Sequence, residues 1–126
     1  MDENEISKIL LDCAIEVHRT LGGPGLLESA YEEPLCWEIQ RKGLKVKRQL
    51  EVPILYKGQI LAAPLRLDLL VENLVIVEVK AVANYNTIFE AQALTYLRLM
   101  NLKLAIVINF GEKLVKDGFH RVVNKL

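Results

Sequence analysis

The tripeptide Glu78-Val79-Lys80 brings an acid and a base together within an apolar stretch. Side chains alternate along an extended chain, so Glu78 and Lys80 leave on one face while Val75, Val77 and Val79 take the other. The preceding extended stretch alternates too, with Arg66 and Asp68 set against Leu65, Leu67 and Leu69. Each stretch predicts one polar-bearing face and one greasy face. Whether the polar faces merge depends on the connecting loop. An odd loop such as Glu72-Asn73-Leu74 sets Asp68 opposite Glu78, whereas a two-residue Glu72-Asn73 loop sets it opposite Val77. Only the odd loop segregates polar from apolar. Two carboxylates brought together inside a sheet repel, and the remedies are a shared proton, a cation or a lysine. Lys80 supplies one positive charge, and hard oxygen ligands on adjacent strands suit Mg²⁺ or Mn²⁺. An exposed Glu-x-Lys is also common on ordinary strands, so the tripeptide alone does not establish a site.

Other spacings add to it. Gly25, Glu28 and Tyr31 form a GxxExxY pattern at the start of a helical stretch, and Gln92 and Tyr96 stand one turn apart on another. Each has a plain structural alternative: core aromatics with a bonded hydroxyl for the tyrosines, a solvated helix residue for Gln92. His18 reads as a helix-packing histidine.

These residues need a frame. Ile6, Ile9, Leu10, Cys13 and Val17 follow amphipathic-helix spacing up to the Gly22-Gly23-Pro24-Gly25 breaker. Leu27, Tyr31, Leu35 and Ile39 continue as a second helix toward Gly43, with a kink or restart expected at Pro34. Residues 46–56 and 60–71 read as strands joined by a Lys57-Gly58 turn, with Pro53 and Pro64 marking edges or bulges. A third strand runs from Leu74 to Lys80. Thr87 and Glu90 form a capping-box pattern ahead of a helix to about Met100, and Leu104 to Phe110 reads as a buried strand. The tail predicts a turn at Asp117-Gly118 and one short strand or helical turn. The order implies an α/β layer fold with one mixed sheet, in which only the strands at Leu74 and Leu104 run parallel.

Composition bounds the answer further. At 126 residues and 52% hydrophobic, the chain suits one domain and is not a disordered segment. Folding should bury roughly two thirds of its surface, so no disulfide or structural metal is required. Cys13 and Cys36 read as reduced, buried thiols, and neither they nor His18 and His120 make a zinc pattern. Sixteen bases cancel sixteen acids, which excludes duplex binding by overall charge alone. The charge is uneven, however: residues 1–38 carry nine acids against two bases, and residues 39–48 carry five bases and no acid. Arg41, Lys42, Lys45, Lys47 and Arg48 would either meet phosphates or form a solvated helix end running into an edge strand. The acidic start MDENEISK and the lack of an 18-residue apolar run predict a soluble, cytoplasmic protein without a membrane span.

The ordered motifs resemble the GxxExxY protein family, a small branch of the PD-(D/E)xK nuclease superfamily. The resemblance spans nearly the whole chain, from Glu16-Val17-His18 through Arg66-x-Asp68, Glu78-x-Lys80 and Glu90-Ala91-Gln92 to Ile108-Asn109-Phe110-Gly111 and Lys116-Asp117-Gly118. It departs from the family pattern at Pro34, Cys36, Trp37 and Ala63-Pro64. The resemblance implies one restriction-endonuclease-like domain over residues 1–126 and a metal-dependent nuclease using Mg²⁺ or Mn²⁺. It implies metal binding by Asp68, Glu78, the Val79 carbonyl and the helix-borne Glu28, with Lys80 orienting or activating the attacking water. Gln92 and Tyr96 resemble a QxxxY element that braces the lysine or touches substrate, and Tyr31, Tyr96 and Arg66 are the expected substrate contacts. Nucleic acid is the implied partner. The chain lacks a long basic helix or an aromatic-studded strand, which favours a small or structured substrate, a partner protein, or a homo-oligomer that joins basic patches. The second reading is a catalytically silent binding or assembly module on the same fold.

Overall fold

The computed structural model describes all 126 residues. Its first helix, α1 (Glu3–Leu21), starts at a reciprocal capping box, in which the Asp2 side chain accepts the Glu5 N–H and Glu5 accepts the Asp2 N–H. It ends at Gly22, as the breaker predicts. The second helix, α2 (Glu28–Arg41), passes through Pro34 as one element, so the expected restart does not occur. Pro34 is half-buried and shares a groove with Val17 and Leu21 of α1, although an interior proline by itself costs a helix ~3 kcal/mol. Both cysteines are free; Cys13 is buried between the helices and Cys36 is half-buried.

The two long strands expected at 46–56 and 60–71 are each cut by a proline, which has no N–H to give a ladder. Strand β1 (Val46–Val52) stops before Pro53, and β4 (Leu65–Val71) starts after Pro64. Between them β2 (Leu55–Tyr56) and β3 (Gln59–Ile60) form a separate hairpin, turned by Lys57 and Gly58 with both φ angles positive (50° and 81°). Then come β5 (Val75–Lys80), α3 (Ile88–Met100), β6 (Leu104–Asn109), a 3₁₀ turn (Val115–Gly118) and β7 (Phe119–Val123). The expected capping box at Thr87 is absent. Asn86 does the work instead, its Oδ1 accepting the Ile88 N–H at 2.9 Å.

The main sheet has the order β1-β4-β5-β6-β7. Only β5 and β6 run parallel, as their crossover through α3 requires. Helices α1 and α2 cover one face with Leu69, Val71, Val75, Val77, Val79 and Leu104, Ile106 and Ile108 of β6. Helix α3 covers the other, over Leu65, Leu67, Leu70, Ile76, Ala105 and Val107. The expectation of one greasy face per strand therefore fails: both faces are cores, and Ile76 is buried on the same face as Glu78. No helix is long and apolar enough to cross a membrane.

Candidate active site

The β4–β5 hairpin has the odd loop. Glu72 and Asn73 take left-handed backbone (φ 54° and 55°), the Leu74 N–H closes on the Val71 carbonyl at 3.0 Å, and Val71 pairs with Val75. The ladder then runs through Leu70↔Ile76 to Leu69↔Val77 and stops, although both strands continue. The next rung would set Asp68 against Glu78. There side chains replace the ladder: Glu78 Oε2 accepts the Asp68 N–H at 2.8 Å, and Asp68 Oδ2 accepts the Val79 N–H at 2.8 Å. The strands part at this point, β4 continuing with β1 and β5 with β6, and the two carboxylates occupy the wedge.

Asp68 is also where β4 changes face. Leu67 packs under α3 while Leu69 packs under α2, though a regular strand would put them on one side. Across the ladder, Gln49 lies between the pairs Arg48↔Leu69 and Leu50↔Leu67 with φ 50°, a left-handed conformation rarely taken by a non-glycine residue. Arg48 therefore turns to α2 while Leu50 turns to the α3 side. This coiling of β1 and β4 aims Asp68 at the wedge.

The wedge is electrostatically costly. Glu78 is 6% exposed, and burial, reinforced by the Asp68 charge, pushes its carboxyl up to about 8. The hydrogen bond from the Asp68 N–H and the Lys80 charge oppose that rise without cancelling it. Burial also raises Asp68, against the Val79 N–H, and raises Glu28 at the start of α2, where Lys80 opposes and Asp68 adds to the effect. Tyr96 of α3 is half-buried, and its hydroxyl is raised by burial and then by the charges of Glu78 and Asp68. Glu28, Asp68, Glu78, Lys80 and Tyr96 thus act on one another in one neighbourhood. The Lys80 ammonium rests 4.7 Å from the centre of the Phe89 ring, on the α3 side.

Sequence reasoning missed two neighbours. Glu32, buried one residue beyond Tyr31, accepts from Arg48 Nε at 2.7 Å and from Gln49 Nε2 at 2.9 and 3.1 Å. Gln49 Nε2 also approaches Asp68 Oδ1 at 3.4 Å, so it ties the helix acid to the strand acid. The sequence signal was an acid inside a core-facing helix stretch, which needs a partner when buried.

Other expected site residues lie differently. Tyr31 has no exposed surface: it stacks on Phe110 at 4.7 Å, donates to the Gly23 carbonyl at 2.7 Å and accepts the Leu26 N–H at 3.2 Å. It pins the breaker loop, and the structure leaves it no face for a substrate. Arg66 points to solvent and pairs with Glu51 at 2.7 Å. Gln92 is exposed on α3, one turn before Tyr96. His18 is the packing residue expected, its Nε2–H donating to the Phe110 carbonyl at 3.1 Å. In the basic segment Arg48 is taken by Glu32 and Arg41 lies near Glu38 and over Trp37, while β1 is an edge strand, so the solvated-edge reading describes it.

The other motif residues hold the wedge in place. Asn109, fully buried, accepts the Val82 and Gly111 N–H groups and donates to the Val82 carbonyl, each at 3.0 Å. It fastens the chain leaving Lys80 to the end of β6. A Cβ on Gly111 would fall 2.2 Å from the Val82 oxygen, and one on Gly118 would fall 2.3 Å from the Asn109 oxygen, so only glycine fits either place.

No group of three or more His, Cys, Asp or Glu side chains stands at metal-holding spacing. The donors still fit a hard divalent cation: two carboxylates share a wedge, each with one oxygen on a backbone N–H, leaving Glu78 Oε1 and Asp68 Oδ1, the latter with only the long Gln49 approach. No curated protein and no solved structure matches the chain. The family model of the PD-(D/E)XK nuclease superfamily matches residues 4–122, from the first turn of α1 into β7. A match of that extent, over a mixed five-stranded sheet flanked by helices, means that the chain belongs to the PD-(D/E)XK nuclease superfamily.

Proposed function

We propose that the chain is a metal-dependent nuclease that hydrolyses phosphodiester bonds of nucleic acid at the β4–β5 wedge. The observation that carries this reading is the parting of the two strands where Asp68 and Glu78 face each other, with Lys80 beside them. Asp68, Glu78, the Val79 carbonyl and Glu28 would hold Mg²⁺ or Mn²⁺. When bound, such an ion lowers the pKa of a coordinated water and offsets charge on phosphoryl oxygens. Lys80 would orient or activate the attacking water, while Gln92 braces the lysine and Tyr96 contacts substrate from the rim of α3. Burial pushes the Glu78 carboxyl up to about 8, so serving as a ligand would require it to give up a proton.

The test is Lys80→Ala, assayed on single strands, duplexes and flaps with Mg²⁺ or Mn²⁺, beside a metal titration of wild type and Asp68→Ala. Cleavage by wild type and its loss in Lys80→Ala, with metal binding retained, is the expected result. The effect should fall on kcat rather than on substrate affinity. Wild type that binds nucleic acid but cleaves none of these, with Lys80→Ala altering affinity alone, would make the chain a non-catalytic binding module.

A further inference from the structure

Lys80 does not lie where charge alone would put it. Glu78 and Lys80 leave β5 on one face two residues apart, about 6.6 Å along the strand, a span that a lysine side chain covers. Asp68 stands across from Glu78. Yet Lys80 makes no ion pair with Asp68, Glu78 or Glu28, although its charge acts on all three. Its ammonium rests over the Phe89 ring instead, 4.7 Å from the ring centre. The face of an aromatic ring is the negative part of its quadrupole, so it attracts a cation.

That ring is itself held in place. Phe89 opens α3, where its N–H bonds the Asn86 carbonyl at 3.1 Å and its half-buried side chain packs onto the core beneath the helix. Tyr85 meets it at 71° with the ring centres 5.5 Å apart, and Tyr85 in turn stacks on His120 of β7 at 4.1 Å. The three rings form a ladder from Lys80 to the far edge strand. His120 pairs with Val107, and Val107 with Glu78, so the ladder ends in the same row of the sheet as the carboxylate. The place and tilt of the Phe89 ring are therefore tied to the strands that carry the wedge. The other place open to the ammonium is the wedge itself. There it would take Glu78 Oε1 and Asp68 Oδ1, the oxygens that the Asp68 and Val79 N–H groups leave over, and a metal ion would have to displace it.

We propose that Phe89 is the positioning residue for Lys80: its ring holds the ammonium at the rim of the wedge and so keeps Glu78 Oε1 and Asp68 Oδ1 open to a divalent cation. The role in metal binding rests on the nuclease reading, whereas the placement of Lys80 does not. The first test is nuclear magnetic resonance on the metal-free, ¹³C-labelled chain. The ring current of Phe89 should move the Lys80 ε-CH₂ protons upfield of those of Lys8 and Lys103. Phe89→Leu should remove that shift and Phe89→Tyr should keep it, while Lys57, over Tyr56 at 5.5 Å, stays unmoved in both. The second test is Mn²⁺ calorimetry on wild type, Phe89→Tyr, Phe89→Leu, Lys80→Met and the Phe89→Leu/Lys80→Met pair. Phe89→Leu should weaken Mn²⁺ binding by about fivefold, the ratio set by a half-buried cation–π contact, and Phe89→Tyr should bind as wild type does. In the Lys80→Met background Phe89→Leu should change nothing, because no ammonium remains to enter the wedge. Should Phe89→Leu not fold, Phe89→Met fills the space in its stead with the same expectations. An unshifted Lys80 signal in wild type, a shift that survives the loss of the ring, unchanged Mn²⁺ affinity in Phe89→Leu, or equal weakening with and without Lys80 overturns the proposal. Wild type that shows the Lys80 shift but binds no Mn²⁺ refutes the metal-dependent reading, and with it the metal-binding role, and upholds Phe89 as the seat of Lys80.

Discussion

Replacing Glu78 by Gln should make the protein more stable in alkali and leave it nearly unchanged in acid. The amide is close to isosteric, and its oxygen can still accept the Asp68 N–H that Glu78 Oε2 accepts at 2.8 Å. What the substitution removes is ionisation. Burial and the Asp68 charge lift the Glu78 carboxyl from its ordinary 4.5 to about 8. Below the ordinary value both folded and unfolded chains hold the proton, so Glu78 leaves the stability untouched. As pH rises toward 8 the unfolded chain releases the proton while the fold keeps it, and stability falls. Above the folded value both forms are ionised and the loss is complete.

At ~1.4 kcal/mol for each tenfold change in proton affinity, the loss amounts to about 4–5 kcal/mol, a large part of a small domain's stability. Urea unfolding of wild type and Glu78→Gln at about pH 4 and about pH 9 reads it directly. Asp68 and Glu28 are raised in the same direction and slope both curves, so the difference between the proteins is the quantity to take. Parallel curves, with the variant no more stable at the higher pH, would refute the assignment of a proton to Glu78 in the fold.

Mg²⁺ or Mn²⁺ should raise the wild-type melting temperature, more at pH 8 than at pH 6 because the ligand must first lose its proton, by up to ~2.7 kcal/mol of stability at a hundred times Kd. Glu78→Gln should abolish the rise, and identical thermal shifts in the two proteins would place the ion elsewhere. Tyr31→Phe should cost about 1–3 kcal/mol in urea unfolding, since the Gly23 carbonyl and Leu26 N–H lose their partner, while leaving KM unchanged. A changed KM at unchanged stability would return Tyr31 to the substrate. Gly111→Ala should cost more than ~3 kcal/mol of unfolding free energy in urea, because its Cβ would fall 2.2 Å from the Val82 oxygen, and a near-neutral result would mean that the chain after Lys80 yields easily.

The sequence predicted the Asp68–Glu78 juxtaposition through an argument that holds only locally. Segregation of polar from apolar faces selected the odd loop, and the loop is odd. Yet there is no polar face: Ile76 beside Glu78 and Leu67 beside Asp68 are both core residues under α3. Alternation cannot reveal that Leu67 and Leu69 enter different cores, because the coil at Gln49 and Asp68 is a property of two strands together. The parallel β5–β6 pair was legible because a helix-length crossover permits little else. Glu32 and Gln49 were not, since their roles come from tertiary pairing between α2 and β1. Pro34 misled because an intrinsic cost was weighed alone, whereas α2 runs through it as one helix against α1.

The wedge also gives each of the two carboxylates a partner of its own. Each caps a backbone N–H that the parted ladder leaves without a strand partner, so the repulsive pair also satisfies two amides. Removing the Asp68 side chain altogether therefore has two opposed effects: it relieves the push on Glu78 and orphans the Val79 N–H. The first favours the fold, while an unsatisfied buried donor costs about 1–3 kcal/mol. Asp68→Ala can then come out near neutral for reasons unrelated to whether Asp68 binds metal, whereas Asp68→Asn keeps an oxygen for Val79 and isolates the charge. The same reasoning bears on metal binding. Any rotation of a carboxylate toward a cation at the expense of its amide carries a penalty of that order, so the apparent affinity will be lower than two clustered acids would otherwise give, and it rises only as the proton on Glu78 is removed.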